Sequence, residues 1–311
     1  MDGTRRERLR SFLRLTRPQF LVPGLALYVL GALLSFAYGA PQDAGRFAGG
    51  YLVFFLAHFS LTFSNDYFDR RADSFNTPTP LSGGSGALSS HPELARPALY
   101  LSLLLIAASL LAASLFQIHY SMPWYFIPLV LAGNILGFFY TAPPLRLAYR
   151  GLGEPATVLA AGVVMPAMGY LCLQGRIDLD FLALTPALMG YGAFFILSVE
   201  MPDRKADMQG GKRNLLVRAG LEKGLQAAFL ATAWSSAYLL YLVSISFGSV
   251  DLLPLLVFSL LPLSAGLLGL MVREVDRPRV IAQVKANFTA LMGFVFLADA
   301  YLAWSLWLPV Q

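Results

Sequence analysis

Asn-Asp-Tyr-Phe-Asp-Arg-Arg-Ala-Asp, residues 65–73, closes an apolar run that begins near residue 46. At about 100° per residue, offsets of three and seven bring Asp66, Asp69 and Asp73 onto one face of a helix. Three carboxylates on one face repel one another unless positive charge stands between them. A helix that leaves an apolar layer and ends this way is read as one wall of a cation-binding site at a membrane surface. The chain then repeats the device. After the apolar run 181–199 comes Glu-Met-Pro-Asp-Arg-Lys-Ala-Asp, residues 200–207, where Glu200, Asp203 and Asp207 keep the same offsets and Arg204 and Lys205 stand in the places of Arg70 and Arg71. Two such faces imply one shared site.

Hydrophobic residues make up 57% of the 311 positions and charged residues 13%, about half the ~25% of a soluble domain. With a mean hydropathy of +0.60, this composition belongs to a polytopic membrane protein. Nine apolar runs approach the ~20 residues a spanning helix needs: approximately 19–38, 46–64, 97–116, 123–140, 155–173, 181–199, 225–247, 252–271 and 288–308. Only residues 117–122 part the third from the fourth, and 248–251 the seventh from the eighth, so each pair is expected to be antiparallel neighbours. The expected fold is all-α, a membrane bundle of nine transmembrane helices. Residues 1–18 form a basic cytoplasmic arm and 19–311 a single transmembrane domain.

Of the 23 Lys and Arg, 21 precede the first run or follow an even-numbered one, and only Arg46 and Arg176 fall on the other side. The positive-inside rule makes the populated face cytoplasmic, together with the N-terminus and both acidic stretches, and leaves Gln311 outside. The Arg-rich start reads as an anchor on anionic lipid, retained from Met1 onward, because no small-residue cleavage site follows and the first run is full length. This topology accounts for the net charge of +5 and gives no case for nucleic acid. The single cysteine, Cys172 within the fifth run, excludes an internal disulfide and a thiolate metal cluster.

Several polar residues interrupt the apolar pattern. Arg17, before Pro18, is expected to snorkel to the interface in preference to facing the site. His58 and Thr62 precede Asn65 and Asp69 at helical spacing, so His58 either extends the polar stripe into a cavity or is satisfied by a neighbouring helix. Residues 74–94 are too polar to span and long for a plain linker, and Gly83, Gly84 and Gly86 would let backbone N–H groups approach a phosphate. Pro143 and Pro144 break the fourth run, holding Tyr140, Arg146, Tyr149 and Arg150 at the end that carries the acids. Lys212, beside Gly210 and Gly211, is placed to meet an anion held by metal. Asp299 is read as structural or protonated, and Asn287 as either lining a cavity or capping its helix.

Hard carboxylate oxygens suit Mg2+, which takes one or two carboxylates and completes its shell with water and substrate phosphates. A diphosphate is the natural third party. At the mouth of an apolar bundle it implies a lipid diphosphate, whose departure from an allylic carbon is eased when metal stabilises the leaving charge. The carbocation formed needs aromatic faces and shelter from water.

Asn-Asp-x-x-Asp-x-x-x-Asp after the second run, Asp-x-x-x-Asp after the sixth, nine runs, and Tyr-Thr-Ala-Pro-Pro-Leu-Arg at 140–146 resemble the UbiA superfamily of intramembrane prenyltransferases over nearly the whole chain. The resemblance implies a helical bundle around a central cavity, two Mg2+ ions, and transfer of a prenyl group from a polyprenyl diphosphate to a small aromatic acceptor within the lipid bilayer, with no obligate protein partner. By it, Asp66, Asp69 and Asp73, preceded by Asn65, match the first metal-binding motif, and Asp203 and Asp207 the second. Lys212 matches a basic position that holds the diphosphate, and Tyr140 a tyrosine near the reacting centre. Two departures stand out. Residues 76–81, Asn-Thr-Pro-Thr-Pro-Leu, lack the arginines that many members carry there, so substrate binding leans on Arg70, Arg146, Lys212 or the glycine loop; and Glu200 replaces the usual Asn or Asp. Asn-Asp-Tyr-Phe-Asp and Tyr-Arg-Gly-Leu-Gly-Glu, residues 149–154, resemble the branch that prenylates 1,4-dihydroxy-2-naphthoate in menaquinone synthesis. The acceptors 4-hydroxybenzoate, homogentisate and geranylgeranylglyceryl phosphate remain open. A cation or anion transporter is the alternative of another class, disfavoured because both acidic sets lie at one face rather than at mid-membrane.

Overall fold

The computed structural model describes residues 3–79, 81–272 and 277–306; Met1, Arg273 and Gln311, which entered the retention and orientation readings, lie outside the described residues. In chain order the helices are α1 (Gly3–Leu15), α2 (Pro18–Ala37), α3 (Ala44–Asp73), α4 (Ala87–Ser90), α5 (Ala95–Tyr120), α6 (Phe126–Phe138), α7 (Gly153–Leu159), α8 (Met165–Gln174), α9 (Leu179–Glu200), α10 (Arg204–Gly210), α11 (Leu215–Ala219), α12 (Leu221–Ser244), α13 (Leu253–Phe258), α14 (Leu260–Gly269) and α15 (Arg277–Ser305). No strand occurs among the described residues.

Each expected apolar run is helical, but they are not equal in reach. Seven stretches are long and apolar enough to cross a membrane: Arg10–Ala37, Ala44–Asp73, Pro92–Tyr120, Gly153–Gln174, Leu179–Gly210, Leu221–Ser244 and Arg277–Ser305. The runs near 123–140 and 252–271 give shorter apolar helices, Phe126–Phe138 and Leu253–Gly269. The 13 residues of α6 rise about 20 Å, short of a ~30 Å hydrocarbon core. This helix ends early because the chain turns from Phe139 toward Pro143 and Pro144, which have no N–H to donate.

Helices close in sequence pair as the short connections require: α5 packs on α6, and α12 on α13 and α14. Longer-range packing sets α2 against α8, α3 against α5 and α6, α9 against α12, and α15 against α2, α9 and α14. The contact between α2 and α8 rests on absent side chains. A Cβ at Gly31 would collide with the Pro166 carbonyl, and one at Gly169 with the Tyr28 carbonyl, so the two backbones approach as small residues allow in apolar surroundings.

Between α7 and α8 lies a π turn, Ala160–Val164. Pro166 explains it: with no N–H, it cannot close an α-type ring onto Gly162 four residues back, and the backbone widens there instead. The N-terminal arm is also more ordered than a loose tether. It forms α1, whose Leu15 is fully buried with Phe63, Ala87, Leu88 and Ala98, docking the basic helix on α3, α4 and α5.

Candidate active site

α3 runs unbroken through residues 44–73, so the predicted spacing is realised and Asp66, Asp69 and Asp73 share one wall. The second acidic stretch departs from a regular helix. Pro202 tightens Met201–Asp203 into a 3-10 turn between α9 and α10, yet Glu200, Asp203 and Asp207 all face the same space. That space is a cavity of about 340 Å³. Its mouth carries these six carboxylates and two cationic side chains, Lys212 and Arg17, and its deeper lining is mainly aliphatic and aromatic.

Lys212 joins the two motifs. Its Nζ lies 2.8 Å from Asp69 Oδ2 and 3.1 Å from Asp207 Oδ1. Burial by itself would pull the ammonium pKa down, but Asp69 and Asp207 hold it well above its ordinary value, so the charge is locked on. The loop after α3 adds donors. Asn76 Nδ2 donates to Asp203 Oδ1 at 2.7 Å, the Gly83 N–H to Asp203 Oδ2 at 2.8 Å, and the Ser85 N–H to Asp66 Oδ2 at 3.2 Å. The glycine loop therefore aims its backbone at carboxylates from both motifs. A positive φ of 84° at Gly83 and 69° at Gly84 makes this possible, and a Cβ at Gly84 would run into the Asp73 carboxylate.

Asn65 and Tyr140 also line the cavity, and Thr141 Oγ1 donates to Asn65 Oδ1 at 3.0 Å. Two expected substrate ligands do not. Arg70 is exposed, donates to the Tyr67 carbonyl at 2.8 Å and lies over the Tyr67 ring, because it follows Asp69 by 100° and so leaves the acidic face. Arg146 is exposed too, with φ 45°, its guanidinium 3.9 Å from the centre of the Tyr149 ring. It touches the site only through Tyr149, whose hydroxyl donates to Asp69 Oδ1 at 2.8 Å. Burial and that neighbouring carboxylate raise the Tyr149 phenol above its ordinary pKa and keep it a donor.

Arg17 goes the other way. Instead of snorkelling, it adopts φ 40° between α1 and α2 and turns into the cavity, Nη1 3.6 Å from Asp66 Oδ1, with its Nε buried and unpartnered. A left-handed non-glycine residue costs about 1–3 kcal/mol, which marks it as a constrained position. Asn214 joins the site without having been expected there: its Nδ2 holds Asp207 Oδ2 at 2.9 Å while its Oδ1 accepts from the Val217 N–H and starts α11. Asn-Leu-Leu at 214–216, just before a helix, was the available signal. His58 faces the cavity, which resolves its two readings; Asn287 instead donates to Ser198 Oγ at 2.9 Å, inside a packed polar contact.

The donor set fits a metal that shares its shell with a ligand. Among the described residues no three Asp, Glu, His or Cys gather closely enough to hold an ion by themselves. Buried acceptors nevertheless lack hydrogen-bond donors at the mouth, Asp66 Oδ1 and Glu200 Oε2. That pattern suits a cation that takes one or two carboxylates and completes its shell from a ligand and water, as Mg2+ does.

The fold has close counterparts among solved structures. A UbiA homologue from Archaeoglobus fulgidus, solved with GPP and Mg2+, superposes with a TM-score of 0.66 over 94% of this chain and 99% of that one, at 19% identity. The apo UbiA homologue from Aeropyrum pernix K1 gives 0.66 over 90% and 96%, at 17% identity. In sequence, 1,4-dihydroxy-2-naphthoate octaprenyltransferase of Bacillus subtilis is 25% identical over 227 residues, 73% of this chain and 70% of its own length. The chloroplastic 2-carboxy-1,4-naphthoquinone phytyltransferase of Arabidopsis thaliana is 36% identical over 135 residues, 41% of this chain and about a third (34%) of that protein's length. Two acid-bearing helix ends around an apolar cavity are thus accompanied by matching structures and matching sequences, and the family model described as the UbiA prenyltransferase family covers residues 24–297: the chain belongs to that family.

Proposed function

We propose that this protein transfers a prenyl group from a polyprenyl diphosphate to 1,4-dihydroxy-2-naphthoate, with Mg2+, in menaquinone biosynthesis. The observation that carries the reading is the cavity mouth, where six carboxylates face only two cations among the described residues and a single lysine ties Asp69 to Asp207. Such an excess of negative charge is a receptor for metal plus an anion rather than for an anion alone. Asp66, Asp69 and Asp73 from one side and Asp203 and Asp207 from the other would hold two Mg2+ ions. When bound, the metal stabilises negative charge on the departing diphosphate.

The chain's own groups do the rest. Lys212 and Arg17 supply fixed positive charge for diphosphate oxygens, Tyr149 and Asn214 keep Asp69 and Asp207 aimed, and the loop around Gly83 covers the mouth against water. Tyr140 and Glu200 stand on the cavity wall beside the reacting centre. The C1–O bond of the donor breaks with its electron pair leaving on diphosphate, and the acceptor ring carbon forms the new bond to C1 and then gives up its proton to the departed diphosphate, which restores the aromatic ring. A phosphate-bearing acceptor is disfavoured, because the only lysine and arginine among the described lining residues are the two at the mouth. All nine apolar helices cross the membrane in this reading, α6 and the Leu253–Gly269 segment included, with the acidic end cytoplasmic. The names of the Bacillus and Arabidopsis relatives, and the GPP and Mg2+ of the Archaeoglobus structure, support the choice of substrates.

The test is an acceptor panel in nanodiscs with geranylgeranyl diphosphate and Mg2+ held constant, product read by mass and diphosphate release followed in parallel. Prenylated dihydroxynaphthoate, lost on chelation with EDTA, is the expected result. A different prenylated acceptor overturns the substrate assignment, and no diphosphate release from any combination overturns the enzymatic reading.

A further inference from the structure

Eight residues before Asp66 on the same helix, about 12 Å deeper along its axis, His58 projects into the cavity. Its surroundings are apolar. The imidazole lies against the Phe54 ring, centroids 5.4 Å apart and planes inclined by 34°, and fills a slot on α2 that exists because Gly24 has no side chain; a Cβ there would meet His58 Cε1 and Nδ1. No hydrogen bond to the ring forms among the described residues. Across the cavity wall, Tyr191 and Phe294 pair with ring centroids 4.4 Å apart. The half-buried ring is left open to the cavity, and an ionisable side chain at this depth with no protein hydrogen bond among the described residues marks a ligand contact.

The two ends of the cavity then divide the substrates by chemistry. The carboxylates, Lys212 and Arg17 take the diphosphate. The prenyl chain offers only C–H groups, which give an imidazole nitrogen nothing to bond. A hydroxylated aromatic ring does: neutral imidazole has one donor and one acceptor nitrogen, the complement of a phenolic hydroxyl, and Phe54 offers the flat apolar face beside it. The geometry points to His58 as the positioning residue of the acceptor, hydrogen-bonded to a ring hydroxyl and fixing which ring carbon is presented to the donor. This rests on the prenyl-transfer reading above and names, for that site, the group that selects the acceptor. A site built around such a bond discriminates strongly against analogues that lack the hydroxyl.

The experiment compares wild type, His58→Leu, His58→Gln and Gly24→Ala in nanodiscs, each first checked for monodisperse elution. Acceptor KM and donor KM are measured separately. Binding of the fluorescent probe 1-hydroxy-2-naphthoate is also titrated without donor or metal. His58→Leu should raise acceptor KM and probe Kd about tenfold or more with donor KM within about twofold of wild type. His58→Gln, which keeps a donor and an acceptor, should recover part of the loss, and Gly24→Ala should shift acceptor KM and probe Kd upward by displacing the ring. Unchanged acceptor KM and probe Kd in His58→Leu, or a rise confined to donor KM, overturns the assignment. If His58→Leu does not fold, Gly24→Ala and His58→Gln decide by the same two readouts. Because the probe titration needs no turnover, it scores His58 even if the wild-type protein fails to release diphosphate, a result that would count against the enzymatic reading instead.

Discussion

At Lys212 one ammonium group answers two carboxylates from different parts of the chain, and its removal should be felt twice. Lys212→Ala leaves the buried Asp69 and Asp207 without their shared cation, a loss on the order of 3–5 kcal/mol if uncompensated, so the melting temperature should fall and Mg2+ with diphosphate should restore part of it. The same variant should raise donor KM; an unchanged donor KM in steady-state kinetics argues against the diphosphate role. The pH sign follows from the direction of the shift. A lysine held above its unfolded pKa contributes fully below about pH 10.4 and loses that contribution only as pH rises through the higher folded value. The stability difference between wild type and Lys212→Ala should therefore not acquire a slope from Lys212 itself across the neutral range in a pH series of thermal melts. Asp69→Ala and Asp203→Ala are expected to cut turnover by about 100-fold or more while far-ultraviolet circular dichroism stays helical. The acids themselves were legible, since carboxylates at offsets of three and seven after an apolar run make a self-repelling face that only positive charge relieves. Asn214 was not, Tyr149 could be set at the acidic end but not matched to Asp69, and for Arg17 the site was the less favoured reading, because each reaches its carboxylate from a separate segment, and Arg17 does so through a backbone angle that no side-chain pattern announces. Arg70 misled for the complementary reason: the residue next to Asp69 in sequence is turned away from the acidic face on a helix.

Among the elements, the loop between α3 and α4 changes the most from its expected character. Its glycines suggested a backbone open to phosphate, whereas two of its N–H groups, those of Gly83 and Ser85, are already engaged by Asp203 and Asp66. Metal and diphosphate must therefore compete with, or rearrange, these bonds, and a strap that cannot sit down should bind donor poorly. Gly84→Ala, which forces a side chain against Asp73 at φ 69°, should lower kcat/KM for the donor about tenfold or more and increase cleavage between residues 74 and 90 in limited proteolysis. Wild-type kinetics and an unaltered cleavage pattern in that variant would refute the strap's part in the site. Helix existence was readable from apolar runs, but helix length was not: α6 is cut short where the chain turns toward Pro143, and Pro202 inserts a 3-10 turn into what spacing alone treats as one regular helix.

For the molecule as a whole, charge is segregated: an acidic mouth on an apolar body, with a basic helix docked beside it. Since no three acids among the described residues cage an ion unaided, Mg2+ alone should move the thermal unfolding midpoint little, and Mg2+ with a non-hydrolysable prenyl diphosphate should raise it by several degrees, as linkage requires of a ligand that binds only the folded state. An equal shift with Mg2+ alone, read by the same melting assay, would show a preformed metal cage and contradict the shared shell. The bundle could be anticipated from composition because a membrane admits few backbone solutions, whereas which helices meet depends on where small residues fall, as at Gly31 and Gly169. The π turn at Ala160–Val164 has a reach beyond this one chain. Closing a ring from residue i to i+5 uses one more residue than an α turn, so the segment behaves as a single-residue insertion confined to the cavity wall. Removing one of those residues, with Pro166 exchanged for a residue that has an N–H, would return α7 and α8 to one straight helix with the flanking registers intact, and in an alignment of kindred chains the removal would register as a lone gap, a setting of pocket width written in length instead of in side chains.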